Sequence, residues 1–168
     1  MSSVPPGDGG DGDGGAARRR LGIGIGIKES LRELSVQLSL LTHQVGARLG
    51  LKDVDIDCLD LITRFGPLSP SALARRAGLH PATLTGILDR LERGGWVARE
   101  RDPSDRRAVV LRVLRDRNAE LLHLYAGMNA AMDDLCAGYD DAELELLAGF
   151  LARTADAGRD ATRELTGD

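Results

Sequence analysis

Apolar residues recur every three or four positions over much of the chain, which is the spacing of one face of an α-helix. The longest such stripe predicts a helix over residues 28–49, and another predicts one over residues 53–65. Similar stripes over residues 115–136 and from residue 140 onward predict helices near the C-terminus. Residues 97–113 instead alternate as a β-hairpin does. The pattern predicts a mainly α fold with a small β-hairpin.

Capping and turn signals divide the centre of the chain into two short helices and the hairpin. Ser69-Pro70 predicts the start of a helix that ends at Gly78, and Pro81 predicts the start of the next. This second helix should stop at Gly94-Gly95, where glycine can take the left-handed conformation. The residues Asp-Pro-Ser-Asp at 102–105 strongly favour a turn. Two short helices followed by a hairpin predict a helix-turn-helix with a wing.

Further predictions concern side chains in the longer helices. Asp53 is expected to cap the helix over residues 53–65, and Asp140 with Glu143 to form a capping box for the last helix. The inward face of the 53–65 helix should consist of Val54, Cys58, Leu61, Ile62 and Phe65. Burial on that face predicts a packing role for Cys58 rather than a redox role.

The N-terminal residues, 1 to 22, are rich in glycine and aspartate and have almost nothing to bury, which predicts a disordered tail. Three arginines at 18–20 leave two interpretations open, a solvated charge run and a basic arm on a phosphate backbone, and we favour the first. The following LGIGIGI, residues 21–27, is not a phosphate loop. Its spacing is G-x-G-x-G, and no strand precedes it.

Charge is distributed unevenly along the chain. The net charge is −4, which taken alone argues against nucleic acid as a partner. Residues 64–117, however, hold 12 basic residues and 6 acidic ones, a net of +6, and the rest of the chain carries −10. All the basic residues in this window are arginine, the side chain best shaped for bidentate contact with phosphate and guanine. The central segment is therefore the predicted nucleic-acid surface.

Other functional classes find little support in the composition. Cys58 and Cys136 are far apart and form no disulfide framework, which favours a reducing cytosol. No transmembrane run or signal peptide is present, so we expect a cytoplasmic protein with no membrane partner. The three histidines lie in different predicted helices, and no serine has a helper motif. We expect no enzyme activity, no metal and no cofactor.

DNA recognition requires groove-reading side chains at an exposed helix start and cations around it. The candidates for base contact at the start of the Pro81 helix are His80, Ala82, Thr83, Thr85 and Gly86. The candidates for phosphate contact are Ser71, Arg75, Arg76, Arg90, Arg93, Arg99 and Arg101. At the hairpin tip, Arg106 and Arg107 suit a minor groove, and Asp102 and Asp105 would hold the turn and orient them. Each arginine alone could be a solvated surface charge, but the set in this order favours DNA.

These residues resemble the MarR family of winged helix-turn-helix transcription regulators. The resemblance spans about residues 28–165, and its most specific part is L-x-R-x-G-W-V-x-R-x-x-D-P-S-D-R-R-A-V-V-L-R-V at 91–113. It implies an obligate homodimer in which the first and the last two helices interlock. The two recognition helices would then enter successive major grooves of a pseudo-palindrome. It also implies that Asp105 and Arg107 form the wing's characteristic pair, with Thr83 and Thr85 on the recognition helix.

The chain departs from the family pattern at three places. Gly86 stands where the family often carries arginine or another polar residue, and His80 replaces a serine-like cap. The second strand runs into residues 113–115, Val-Leu-Arg, rather than Leu-Thr. The family commonly responds to small organic acids or to thiol oxidation. Cys58 is not at the helix start that a peroxide sensor favours, so we expect ligand control rather than redox control.

The sequence thus predicts a winged helix-turn-helix domain plus a helical dimerisation arm. The predicted divisions are a tail (1–22), an N-terminal dimerisation helix (23–50), the DNA-binding domain (51–114) and C-terminal dimerisation helices (115–168). The predicted function is a regulator, and a repressor in particular, that binds double-stranded DNA as a homodimer and responds to a small-molecule effector. Two alternatives stay open: a winged helix that docks on proteins, and an effector-free architectural protein that coats DNA.

Overall fold

A computed structural model describes residues 11–102, 105 and 107–166 of the chain. The helices within these ranges are α1 (Asp11–Leu49), α2 (Asp53–Phe65), α3 (Pro70–Ala77), α4 (Pro81–Arg93), α5 (Arg115–Leu124), α6 (Ala126–Cys136) and α7 (Asp141–Thr166). The strands are β1 (Val97–Arg101) and β2 (Val109–Val113), which pair antiparallel as one hairpin. The predicted fold class, mainly α with a β-hairpin wing, is confirmed. None of the described helices is long and apolar enough to cross a membrane.

Almost all residues of the hydrophobic core belong to the part of the sequence that runs from the start of α2 to the end of β2. Of the buried apolar residues, all but Val45 and Leu121 fall between Ile56 and Leu111. On α4, Leu84, Leu88 and Leu91 are spaced three or four residues apart, share one face and are buried together. Trp96, just before β1, is 2% exposed and closes this core beside the hairpin. This part of the chain, residues 53–113, is called the winged-helix segment below. It has a compact core of its own, which supports α3, α4 and the hairpin.

Local capping chemistry sets the ends of the short helices as the sequence predicts. The Ser69 hydroxyl accepts a hydrogen bond from the Ala72 backbone N–H at 3.2 Å, and Pro70 occupies the first helical position of α3. Gly78, with φ of 63°, ends that helix in the left-handed conformation. Gly95 takes φ of 69° just after α4. The capping box of α7 is also present, since Asp140 and Glu143 exchange hydrogen bonds of 3.0 and 2.9 Å.

Two predictions about α2 are wrong in detail. Asp53 is the first helical residue rather than the cap, which is Lys52, and the carboxylate that accepts the Lys52 N–H belongs to Asp55. The buried face also differs, because Ile56 and Leu59 are buried while Phe65 is 45% exposed. Packing against α3, α4 and β2 rotates the inward face relative to the one that spacing alone suggested.

The extent of α1 corrects the prediction of a disordered tail. The helix continues back to Asp11, although the sequence pattern predicts disorder through residue 22 and a helix only from about residue 28. Residues 1–10 lie outside the described residues. Once a helix is formed, each further residue adds a hydrogen bond without a new nucleation cost. Alanine and arginine at residues 16–20 are good helix formers, so propagation continues through a segment that buries little.

The helix predicted over residues 115–136 is divided in two. Tyr125 interrupts it between α5 and α6, and its backbone N–H donates to the carbonyl of Leu122, three residues earlier. Gly127, two residues later, has low helix propensity, which weakens a continuous helix at this point. At the other end, α5 has no side-chain cap, and the Leu114 N–H instead donates to the Trp96 carbonyl at 2.9 Å.

The long helices leave much apolar surface uncovered. The chain divides into two units between Gln44 and Val45, so the first unit is α1 up to Gln44. On that part of α1 the large exposed hydrophobic side chains are Leu21, Ile23, Ile25, Ile27, Leu34, Val36, Leu38 and Leu40. On α6 and α7 they are Met132, Leu135, Leu146, Leu147, Leu151 and Leu165.

Candidate DNA-binding site

The first turns of α4 present an open polar surface on a well-supported helix. His80 caps the helix, with its Nδ1 accepting from the Ala82 N–H at 3.3 Å. Thr83 and Thr85 are exposed, while the opposite face of the same helix is buried in the core. The Thr85 hydroxyl donates to the Pro81 carbonyl at 3.0 Å, so its oxygen still has acceptor capacity toward solvent. The predicted base-contact residues therefore share one accessible end of α4.

Gly86 lies on the same exposed surface, inside a helix that would be more stable with alanine there. A Cβ built at this position meets no heavy atom within 4 Å. Packing within the described chain therefore gives no reason for glycine at this position. A bare backbone would instead let another molecule approach α4 closely.

The helix before the turn, α3, supplies polar groups next to α4, against which it packs. The hydroxyls of Ser69 and Ser71 lie 3.1 Å apart at its start, and Arg75 is exposed. The guanidinium of Arg76 stacks over the Phe65 ring, with 4.4 Å from its central carbon to the ring centroid. This stacking orients Arg76 while leaving it at the surface, and sequence reasoning missed it because it placed Phe65 in the core.

The wing is held by a short network at its tip. The strands pair in the register Val97 to Val113 and Arg101 to Val109, which leaves residues 102–108 for the turn. The Asp105 carboxylate accepts the Arg107 backbone N–H at 2.9 Å, and the Asp105 carbonyl accepts the Ala108 N–H at 2.9 Å. The expectation that Asp105 holds the turn is confirmed, and it acts on the backbone of Arg107 while that side chain stays exposed. Arg106 lies outside the described residues.

Three of the arginines predicted to hold phosphates have partners within the protein. Arg99, on β1, pairs with two acids of α4, Asp89 at 3.2 Å and Glu92 at 3.1 Å. Arg93 donates through Nε to the Asp89 carbonyl at 3.0 Å. Arg90 pairs with Asp55 of α2, with 2.6 Å between Nη2 and Oδ1. Arg101, by contrast, is exposed on β1. The spacing of basic residues did not distinguish these two situations, because the partners of Arg90 and Arg99 come from other elements.

Comparison with known proteins relates this arrangement to a family. The sequence model of the MarR family matches residues 51–109. The HTH-type transcriptional regulator YcgE of Bacillus subtilis (strain 168) is 38% identical over 92 residues, which cover 50% of this chain and 60% of the relative. The HTH-type transcriptional repressor YetL of the same strain is 33% identical over 82 residues, covering 48% and 49%. The winged-helix segment of the chain is therefore similar to that of the MarR family.

The chain spans only about half to three fifths of the length of these curated relatives, and the family model covers the winged-helix segment. A longer likeness exists at the level of fold. The structure of Streptococcus pneumoniae FabT in complex with DNA matches with a TM-score of 0.59 and 19% identity, covering 80% of this chain and 96% of that one. This likeness of fold extends beyond the winged-helix segment to helices on both sides of it.

Cys58 is buried in the core, as the sequence predicts. Burial, together with the negative charges of Asp55 and Asp57, raises the pKa of the Cys58 thiol to about 11. The thiolate, which is the reactive form toward peroxide, is thereby disfavoured at neutral pH. Cys136, at the end of α6, is exposed. Within the described ranges, no group of three His, Cys, Asp or Glu side chains could hold a metal ion.

Proposed function

We propose that this protein is a MarR-family, sequence-specific DNA-binding transcription regulator that acts as a homodimer. The observation that carries the proposal is the exposed start of α4, where hydroxyls and a bare glycine lie on a helix whose other face is buried. A helix supported in this way can enter a major groove with its polar side chains toward the base edges. FabT, which shares the fold, binds DNA in the matched structure.

The DNA contact proposed for each side chain follows from its environment in the structure. Thr83 and Thr85 contact base edges, and Gly86 allows close approach of the groove. Ser71 and Arg75, together with Arg76 and Arg101, hold phosphates from exposed positions on α3 and β1. Arg107, on a turn that Asp105 closes, enters the minor groove, where the negative potential attracts arginine.

Homodimerisation is supported by the exposed apolar side chains of α1, α6 and α7. Monomeric soluble proteins rarely expose apolar patches of this extent, so a protein partner is expected to cover them. A second copy of the chain would place two α4 helices about one turn of DNA apart, roughly 10 bp between half-sites. Because YetL is named a repressor, we further propose that the bound dimer represses transcription.

Ligand control is supported by an open cleft of about 220 Å³ between the end of α2, β2 and the start of α5. Its lining combines apolar Ile62 and Val113 with Thr63, Arg115 and Asn118, a set that suits a small organic acid. The burial and raised pKa of Cys58 argue against oxidation of this thiol as the signal. A binding curve shifted by a small aromatic acid but unchanged by peroxide supports this proposal, and the reverse result refutes it.

Selection of bound sequences from a random DNA pool tests the proposed function most directly. A dimeric regulator enriches a pseudo-palindrome, and footprinting then shows two symmetrical protected half-sites. An architectural protein that coats DNA binds the pool without enriching a motif. A protein-docking winged helix retains no DNA at moderate salt. Either of these last two outcomes rejects the proposal.

A further inference from the structure

The last turn of α4 is joined to α2 by a buried ion pair. The Asp55 side chain is 2% exposed and the Arg90 side chain 36% exposed. Arg90 Nη2 lies 2.6 Å from Oδ1 of Asp55, and its Nε lies 3.5 Å from Oδ2, so both edges of the carboxylate face the guanidinium. Such a fork fixes relative orientation as well as distance. The two residues are 35 positions apart in the sequence.

Both members of the pair also bind backbone. Oδ2 of Asp55 accepts the Lys52 N–H at 3.0 Å, at the junction between α1 and α2. Nη1 of Arg90 donates to the Gly86 carbonyl at 3.2 Å, one turn earlier on α4. A continuous chain of polar contacts therefore runs from Lys52 through the ion pair to the segment of α4 proposed to face DNA.

The junction at which this chain of contacts begins is itself closely packed. The Leu51 N–H donates to the Gly46 carbonyl at 2.9 Å. A Cβ at Gly46 would come within 2.7 Å of the Leu51 carbonyl oxygen, so this approach of the backbone requires glycine. The Asp55–Arg90 pair thus attaches α4 to a fixed point rather than to a loose loop.

The charge of Arg90 is neutralised inside the protein. Its partner is a carboxylate that is almost fully buried and that has no second cation among the described ion pairs. Turning Arg90 toward a phosphate would leave that carboxylate unpaired in the core, which is strongly unfavourable. Arg90 is therefore poorly placed to release a counterion from DNA, although its position in the sequence suggested a phosphate contact.

From these contacts we infer that Arg90 and Asp55 are positioning residues for DNA recognition, which set the orientation of α4 without touching DNA. The inference rests on the proposed function. A positioning role and a phosphate contact change different properties of binding. Orientation of α4 affects affinity for the correct sequence, whereas phosphate contacts affect affinity for every sequence and the salt dependence of binding.

Asp55→Asn distinguishes this role from a phosphate contact by the sign of its effect. The variant removes a negative charge and releases Arg90, so a phosphate-binding Arg90 would bind DNA equally well or more tightly. A positioning pair instead predicts weaker binding to the selected site, by about tenfold, comparable to one mismatched base pair. Asp57→Asn is the matched control, because it removes the same charge from an exposed position on the same helix.

Arg90→Lys provides a second test that keeps the positive charge and the buried pairing. Lysine preserves a phosphate contact but cannot reproduce the two-edged fork. We expect the same loss of about tenfold on the selected site, with affinity for unrelated DNA and the slope of log K against log salt unchanged. Circular dichroism and thermal unfolding of each variant establish that the assays use folded protein.

The inference is overturned if Asp55→Asn binds the selected site as tightly as wild type does, or if Arg90→Lys keeps full specificity. If Asp55→Asn does not fold, Arg90→Lys decides alone. A wild-type protein that selects no sequence rejects the proposed function and this inference together. Failure of the inference alone is distinct, because wild type then selects a site and only the variants behave unexpectedly.

Discussion

The winged-helix segment, residues 53–113, and the long helices α1 and α7 use apolar residues in opposite ways. In the winged-helix segment the large aliphatic residues of α4 are buried against α2, α3 and the hairpin. In α1 and α7, residues of the same kind are largely exposed, such as Leu34 at 41% and Leu147 at 41%. The first region buries its apolar residues within one chain, whereas the second leaves many of them exposed for the proposed partner to cover.

The contrast extends to charge. Residues 64–117 carry a net charge of +6, with arginine as their only Lys or Arg type, while the rest of the chain carries −10. DNA, as a polyanion, would therefore approach the winged-helix segment, and a second copy of the chain would cover α1 and α7. Stability, association and DNA binding should accordingly respond to different substitutions.

The largest effect is expected on the free energy of unfolding, when a buried side chain in the core of the winged-helix segment is shortened. Leu91 is fully buried, so Leu91→Ala should lower the free energy of unfolding by about 2–5 kcal/mol through lost burial and a cavity. Leu165→Ala, at a position 90% exposed, is the control and should change it by less than about 0.5 kcal/mol. Urea denaturation measures both. Equal effects would contradict the assignment of the core to this segment.

The next effect concerns association through α7. Leu147→Glu with Leu151→Glu would place two carboxylates in the proposed dimer contact, where unpaired charge is costly. We expect the dimer to weaken by at least about 100-fold, since even about 3 kcal/mol has that effect. Sedimentation velocity over a dilution series measures it. Glu145→Gln, at an exposed polar position of the same helix, is the control. A double variant that stays dimeric would remove α7 from the interface.

Arg107→Ala tests the wing without affecting the hydrophobic core. The Arg107 side chain is exposed and its backbone N–H, which Asp105 accepts, is retained in the variant. We expect weaker DNA binding and a salt slope lower by about one unit, the contribution of one phosphate-neutralising cation. Arg159→Ala on α7 is the matched control and should leave the slope unchanged. An unaltered slope in Arg107→Ala would remove this residue from the DNA interface.

The smallest effect is expected from Gly86→Ala, and it should have opposite signs in two assays. Alanine is favoured over glycine inside a helix by about 0.5–1 kcal/mol, and the new methyl group meets no protein atom within 4 Å. The folded protein should gain stability in urea denaturation. DNA affinity should nevertheless fall, because the methyl group would lie between α4 and the groove. Unchanged affinity would show that DNA does not approach Gly86.

Much of the winged helix could be predicted because its signals are local. The caps at Ser69 and His80, the glycine after α3 and the turn that Asp105 closes each depend on residues a few positions apart. The sequence alone therefore determined the order of the elements and the exposed end of α4. It could not determine where α1 begins, because helix propagation competes with glycine content over many residues.

Only the tertiary structure decided which arginines are available to a partner. In sequence, Arg90 and Arg99 look no different from Arg75 and Arg101, since all are basic residues near a predicted DNA-binding helix. The fold places Asp55 against Arg90 from 35 positions away, and two acids of α4 against Arg99 across the start of the wing. A charge pattern reports how many cations a segment holds, but neutralisation depends on distances of a few ångströms between elements, which packing alone sets.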